Sequence, residues 1–268
     1  MPGFHPIASK PLASVAASTL PAAAKIDVKF GTFDLNNYVQ SWQGGVRRRV
    51  VEQVIPRRDG VRIDDARLGG SEVTLMGGWE ASDALKLREA VDGLREGLFG
   101  QGKAQLRQFD DRHRVVQAVD FITTQVPGGA LLSLDFEVRF MGEEPWEKAD
   151  SLSWRQEVIT TDPQTFLVAT VGTAETRPII RVTASAAALV DALKLTNQTR
   201  GGFFSYHGTL AVGKTLVVDV GQQKAEVDGG SVLADFEGDF WPLKTKDNSI
   251  KFDGDPCTVR IEWNERWY

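Results

Sequence analysis

The sequence predicts a mainly β protein: an N-terminal α+β domain carrying one α-helix, then an all-β domain, with strands of the sandwich or barrel kind. Three observations carry this. Apolar and polar residues alternate in many short runs, as along Leu134, Phe136, Val138 and Phe140 with Ser133, Asp135, Glu137 and Arg139 between them. Turn-forming clusters separate those runs, among them Asp59-Gly60, Gly77-Gly78, Pro127-Gly128-Gly129, Asp228-Gly229-Gly230 and Asp253-Gly254-Asp255-Pro256. A single stretch breaks the two-residue period, where Ala84, Leu87, Val91, Leu94 and Leu98 recur at steps of three and four.

In chain order, Met1 to Lys25 (MPGFHPIASKPLASVAASTLPAAAK) is rich in Ala, Ser and Pro. Lys10 comes late, and Pro11 and Pro21 interrupt the apolar part, so the stretch fits a signal peptide poorly. It reads as an arm that is either frayed or ordered only against a neighbouring subunit. The helical stripe predicts a helix over 82–99, with Ser82 as its N-cap, Asp83 at its positive end, and Gly97 and Gly100 at its exit. That helix covers one face of the N-terminal sheet. Ala184 to Leu193 (ASAAALVDAL) is ambiguous, because its alanines favour helix while its flanks favour strand. Leu216, Val218 and Val220, and Cys257, Val259, Ile261 and Trp263, predict two further half-buried strands. The boundary falls in Gly142–Trp154 (GEEPWEKADSLSW). It divides the chain into an arm (1–25), an α+β domain (26–145), a linker (146–154) and an all-β domain (155–268).

Composition excludes several classes. The chain has 268 residues, 42% hydrophobic and 25% charged, an ordinary globular balance rather than a disordered one. With 31 Lys+Arg against 36 Asp+Glu, the net charge of −5 argues against a surface that grips nucleic acid or anionic membrane throughout. One cysteine, Cys257, permits neither an intrachain disulfide nor a cysteine-cage zinc site. The three histidines, His5, His113 and His207, show no ligand spacing, and no apolar run approaches a membrane span.

Gly208 to Thr215 (GTLAVGKT) satisfies the phosphate-loop pattern, with Lys214 and Thr215 in the phosphate and magnesium positions. That chemistry needs a helix N-terminus after the loop to supply the backbone N–H cradle. The following TLVVDV reads as a strand, so a Gly-containing hairpin turn is the expectation. The acidic alternation Asp235, Glu237, Asp239 lacks a bidentate Glu at the twelfth calcium-loop position, which is Lys246. No nucleophile accompanies Asp111 and His113, and Asn197-Gln198-Thr199 matches a glycosylation pattern without a secretory context. No catalytic residue, metal or cofactor is expected. Arg47, Arg48, Arg49, Arg57 and Arg58 form a basic cluster, with Glu52 and Asp59 as nearby partners; this reads as an interface or a paired surface.

The C-terminal order GTAETRPII-RVTA (172–184), LKLTNQT (193–199), GTLAVGKTLVVDV (208–220), FWPLKTKDNSIKF (240–252) and VRIEWNERWY (259–268) resembles the C-terminal domain of distal tail proteins of long-tailed bacteriophages. Lys246-Asp247-Asn248 stands where that family often has Pro-Gly-x-Asn, so the turn type departs from it. LRQFDDRHRVVQAVDF (106–121) resembles the family's strand–acidic turn–Arg–strand pattern, and the likeness spans most of 26–268.

The resemblance implies an N-terminal β-barrel or split-sheet domain with one α-helix, a galectin-like C-terminal β-sandwich, and a structural rather than enzymatic role. The chain would be a virion protein made in the host bacterial cytoplasm. It would form a homo-oligomeric, hexameric ring joining the tail tube protein to the tail-tip or baseplate hub proteins. That ring would enclose the DNA channel without sequence-specific binding and without a membrane. Phe4, His5 and Ile7 of the arm, with Arg47, Arg49, Arg57 and Arg58, are the candidate interface residues. The competing reading is a carbohydrate-binding sandwich for host glycans, which needs exposed aromatics. Trp241, Trp263 and Trp267 are its candidates, although alternation puts Trp263 on the buried side.

Overall fold

The computed structural model describes residues 26–36, 39–54, 61–126, 132–185, 188–189 and 193–268, with backbone alone for 26–27, 44–54, 61–68 and 125–126. The arm, with Phe4, His5 and Ile7, and the 55–60 segment, with Arg57 and Arg58, lie outside the described residues.

The N-terminal half comprises β1 (Ile26–Phe30), β2 (Phe33–Asp34), β3 (Val39–Val54), β4 (Val61–Ala81), α1 (Ala84–Phe99), β5 (Lys103–Phe109), β6 (Arg112–Val126) and β7 (Leu132–Gly142). Their sheet runs β3-β4-β7-β6-β5-β1-β2, every neighbour antiparallel. Alternation sends Phe136, Val138 and Phe140 inward from β7, and Val73 and Leu75 inward from β4. They meet Phe30, Leu106 and Val116 in one core, with the Phe30 and Phe140 rings 5.0 Å apart.

Helix α1 adds Leu94 and Leu98 to that core, while Leu87 packs in a small neighbouring cluster with Ala81 and Leu134. The helix begins one residue later than the stripe predicts. Its cap is Asp83, not Ser82: Asp83 Oδ1 accepts the Lys86 N–H at 2.9 Å. That bond holds the Asp83 carboxyl below the usual carboxylate range. Gly97 lies inside the helix, and Gly100 alone marks its end. Ala84, at the start of the stripe, stays exposed.

The C-terminal half comprises β8 (Glu147–Val158), β9 (Gln164–Thr170), β10 (Ile179–Ala184), β11 (Leu193–Asn197), β12 (Gly202–Tyr206), β13 (Thr215–Asp219), β14 (Lys224–Val227), β15 (Gly230–Ser231), a 3-10 turn at Leu233–Asp235, β16 (Phe236–Gly238), β17 (Lys246–Asp253) and β18 (Cys257–Trp267). Two antiparallel sheets face each other, β15-β14-β13-β10-β18-β8 and β16-β12-β11-β17-β9. Between them lies a core that includes Ile180, Val182, Leu195, Phe204, Leu216, Val218, Trp241, Phe252, Val259 and Ile261. The ambiguous 184–193 stretch contributes the last residue of β10, a bridge from Leu189 to Leu210, and the first residue of β11. Of that stretch, 186–187 and 190–192 lie outside the described residues.

One expectation fails outright. Residues 146–154 do not form a linker: all but Trp146 belong to β8. This strand pairs with β6 through Arg112↔Ala149 and His113↔Lys148, and with β18 from Glu147 to Val158. The N-terminal sheet and the first sandwich sheet are therefore one continuous 13-stranded sheet.

Two polar side chains organise the sandwich loops. Glu265 is buried, and its Oε2 accepts the N–H groups of Val171 (3.1 Å) and Gly172 (2.9 Å) while Oε1 accepts the Trp263 indole N–H (2.7 Å). This pins the β9–β10 connection to β18. Only glycine fits at 172, because a Cβ there would lie 2.3 Å from the Arg266 carbonyl oxygen. Asn248 is fully buried: its Oδ1 accepts the Lys244 N–H at 2.9 Å, and its Nδ2 donates to the carbonyls of Lys244 (2.9 Å) and Lys246 (3.2 Å). Asn248 thereby fixes the turn in which Lys246 takes a positive φ of 71°, at the place where the sequence departs from Pro-Gly-x-Asn.

Cys257 is buried at the start of β18, and burial with the nearby Asp255 charge pushes its thiol up to about 12. Below that pH the nucleophilic thiolate is scarcely formed. Ellman's reagent at about pH 8 is expected to leave the folded protein unlabelled and to label one thiol per chain in guanidinium; rapid labelling of the folded protein would contradict this packing.

Candidate assembly surfaces

Three features distinguish the surface: a junction fixed by ions, an apolar sheet face, and a long two-stranded hairpin. The junction forms where β6 and β8 meet. Arg114 and Glu147 are both buried, with Arg114 Nε donating to Glu147 Oε1 at 3.2 Å. The second Glu147 oxygen lies 3.7 Å from the Arg112 guanidinium. Arg112 also stacks over the Trp267 ring at 4.3 Å, tying β6 to the last strand residue. Asp150 pairs with Arg107 of β5, and its Oδ1 lies 2.5 Å from His113 Nδ1 of β6. The Asn264 amide donates to the Ala149 carbonyl at 3.3 Å. Asp111 and His113, met in the sequence as a pair without a nucleophile, thus belong to this structural network: the Asp111 carbonyl accepts the Asp150 N–H at 3.1 Å.

The outward face of the N-terminal sheet carries Val115, Val119, Ile122 and Met141, each between 44% and 55% exposed. The register sets Gln117 opposite Met141, and a bulge between Ala118 and Asp120 gives β6 an extra residue there. Val115, Val119 and Met141 line a groove of about 440 Å³. Its polar rim holds the Lys103–Glu143 and Lys148–Glu144 ion pairs. The Lys103 ammonium holds the exposed Glu143 carboxyl below the usual range. An apolar centre with a rim of both charge signs is the anatomy of a protein–protein contact.

The β3–β4 hairpin carries the basic cluster. Arg48 and Arg49 pair in register with Leu68 and Arg67, and Arg47 falls at a bulge between Val46 and Arg48. Among the described residues strand β3 pairs only with β4, at the edge of their sheet.

The alternative chemistries fare differently. After Gly208–Thr215 comes strand β13, not a helix, so no N-terminal cradle follows. Gly213 takes a φ of 76° in the turn, and Lys214 is ion-paired with Asp228 at 2.6 Å. Asn197 of the glycosylation pattern is fully buried, with its amide directed at Asn248 Oδ1 (3.4 Å). Among the described residues, no cluster of His, Cys, Asp and Glu has the arrangement of a metal site, and no helix is long and apolar enough to cross a membrane. Of the tryptophans proposed as a sugar platform, Trp241 and Trp263 are buried in the core and Arg112 lies over the Trp267 ring. Sequence reasoning missed Trp154, which is 57% exposed on the outer face of β8 beside Leu152 and Val158; the Arg260 guanidinium lies over its ring at 4.7 Å. Its place in the expected linker hid it.

Residues 171–267 match the family described as siphovirus-type tail component, C-terminal domain. The C-terminal domain is similar to that of a siphovirus-type tail component. Its match covers the same segments, from Gly172 onward, that carry the resemblance to distal tail proteins in the sequence, and the resemblance is borne out. The whole chain shares its fold with the crystal structure of the Dit protein of phage SPP1, described as a paradigm of the hub of the adsorption apparatus in phages infecting Gram-positive bacteria. The TM-score is 0.67 at 16% identity, over 91% of this chain and 100% of that one. The phage P2 baseplate in its activated conformation with calcium also aligns, with a TM-score of 0.36 and 7% identity over 88% of this chain and 90% of that one. No curated protein sequence matches the chain.

Removing the Glu147 carboxylate strands Arg114 as a buried, unpaired charge. Glu147→Ala is expected to cost about 3–5 kcal/mol and to split thermal unfolding into separate N- and C-terminal steps, read by calorimetry. Unchanged, single-step unfolding would show that the ion pair does not couple the two halves.

Proposed function

We propose that the chain is a ring-forming adaptor at the tail tip, joining the tail tube to the hub proteins. The observation that carries this reading is the match of residues 171–267 to a tail component domain. In this reading the N-terminal sheets form the ring and enclose the DNA channel, and the galectin-like sandwich faces outward to dock other tip proteins. A closed ring needs a heterologous interface, in which one patch meets a different patch on the next copy. Two different patches are present: the apolar groove around Val115, Val119 and Met141, and the β3–β4 hairpin with Arg47 and Arg49. Arg57 and Arg58, with Phe4, His5 and Ile7 of the arm, are the remaining proposed contacts with the neighbour. The ring number, hexameric by resemblance, is part of the proposal, as is residence in the virion after synthesis in the host cytoplasm.

Native mass spectrometry and negative-stain imaging of the full chain test this. Closed rings are expected, alone or with the tail tube and hub proteins. Val119→Asp with Met141→Asp, both at exposed positions, is expected to give folded single copies. A chain that stays monomeric with every tail partner would overturn the adaptor reading; rings unaffected by the double variant would move the interface away from this groove.

A further inference from the structure

At one end of the sandwich, beside the Glu265-pinned loop, lies a cavity of about 330 Å³ lined by Trp146, Arg177, Arg200, Phe240 and Arg266, with Glu175 and Tyr268 also in its wall. Its electrostatics differ from those of the rest of the described surface. Arg95, Arg107, Arg112, Arg114, Arg139, Arg155, Arg181 and Arg260 each have a carboxylate partner. Among the described residues, Arg88, Arg177 and Arg266 have none; Arg88 stands alone on α1, whereas Arg177 and Arg266 meet in this cavity. Arg200 is held there by Glu175 at 2.8 Å. Arg266 stacks over the Trp146 ring at 4.6 Å, and its Nε is buried without a hydrogen-bond partner. Burial depresses the Arg266 pKa; Glu144 opposes that shift, and the charge of Arg177 adds to it. Three guanidiniums in one wall outnumber its Glu175 carboxylate, so they repel each other, and an anion placed between Arg177 and Arg266 relieves that repulsion.

The remaining wall chemistry narrows the ligand. Arg266 covers one face of Trp146 and Phe236 one face of Phe240, which reduces the aromatic surface left for a sugar. Glu175, and Asp239 in the adjoining recess, disfavour a polymer carrying a charge on every unit. A separated carboxylate meets neither objection, and guanidinium forks bind carboxylates through paired N–H bonds.

We propose that this cavity docks an acidic peptide segment of a partner protein, with a carboxylate held between Arg177 and Arg266 and flanked by Arg200. The inference rests on the adaptor reading for the origin of the partner, but its chemistry is tested separately. Fluorescence anisotropy of the full chain is followed with a labelled peptide bearing two spaced Asp or Glu residues, with its Asn/Gln counterpart, and with polyglycerol phosphate as competitor. The acidic peptide is expected to bind, to weaken with salt and to outcompete the polymer, while the neutral peptide does not bind. Arg177→Gln, at an exposed position, is expected to weaken binding about tenfold or more with circular dichroism unchanged. Arg88→Gln, which removes another unpaired arginine from α1, is expected to leave binding unchanged. Equal binding of both peptides, no binding, an equal loss in Arg88→Gln, or Arg177-dependent binding of the polymer in place of the peptide would each overturn the proposal. Ring mass is measured on the same samples: rings without peptide binding defeat only this site, and peptide binding without rings defeats only the adaptor reading.

Discussion

Strand β8 is the constraint on which the rest depends. It hydrogen-bonds to β18 along its length and to β6 at its start, so the backbone ladder runs from one core into the other. Two hydrophobic cores form on either side of this strand, one around Phe30 and Phe140 and one between the sandwich sheets. A flexible linker would leave their relative orientation free. A shared strand ties it to the sheet twist, and the Arg114–Glu147 pair and the Arg112–Trp267 stack tie it further.

That geometry matters for an assembly protein. Surfaces on the two halves act together only when their separation is fixed. The apolar groove on the N-terminal face and the arginine-lined cavity at the sandwich end are each rimmed by a residue at the start of the shared strand or next to it: Lys148 for the first, Trp146 for the second. Several charged side chains fix position. Glu265 and Asn248 shape loops, Glu147 and Asp150 hold the junction, and the phosphate-loop look-alike is a turn closed by the Lys214–Asp228 pair.

Much of this was legible where side chains alternate by burial. Strands β7, β13 and β18 each bury apolar residues at every second position, and periodicity finds them directly. The context rule for the phosphate loop also worked, because a β-branched run cannot supply a helix N-terminus. Strand β8 was not legible. Its sequence EKADSLSWRQEV buries only Glu147 and Ala149, and what holds it is backbone pairing plus an ion pair with Arg114, 33 positions away. A polar strand stabilised at long range reads as a linker in any local window. The helix cap was displaced by one residue because Ser82 and Asp83 are both good caps, and only geometry decides which carboxylate or hydroxyl meets Lys86. The arginine-lined cavity was invisible for a related reason: Arg177, Arg200 and Arg266 are scattered in sequence and meet only through the sandwich topology.

Amide hydrogen exchange across residues 147–158 tests the shared strand most directly. The account expects the amides of β8 to be protected like those of β18, and to exchange together with them in the Glu147→Ala variant. Fast exchange through 147–154 in the wild-type protein, with slow exchange in both flanking cores, would show a linker after all and would contradict the single continuous sheet.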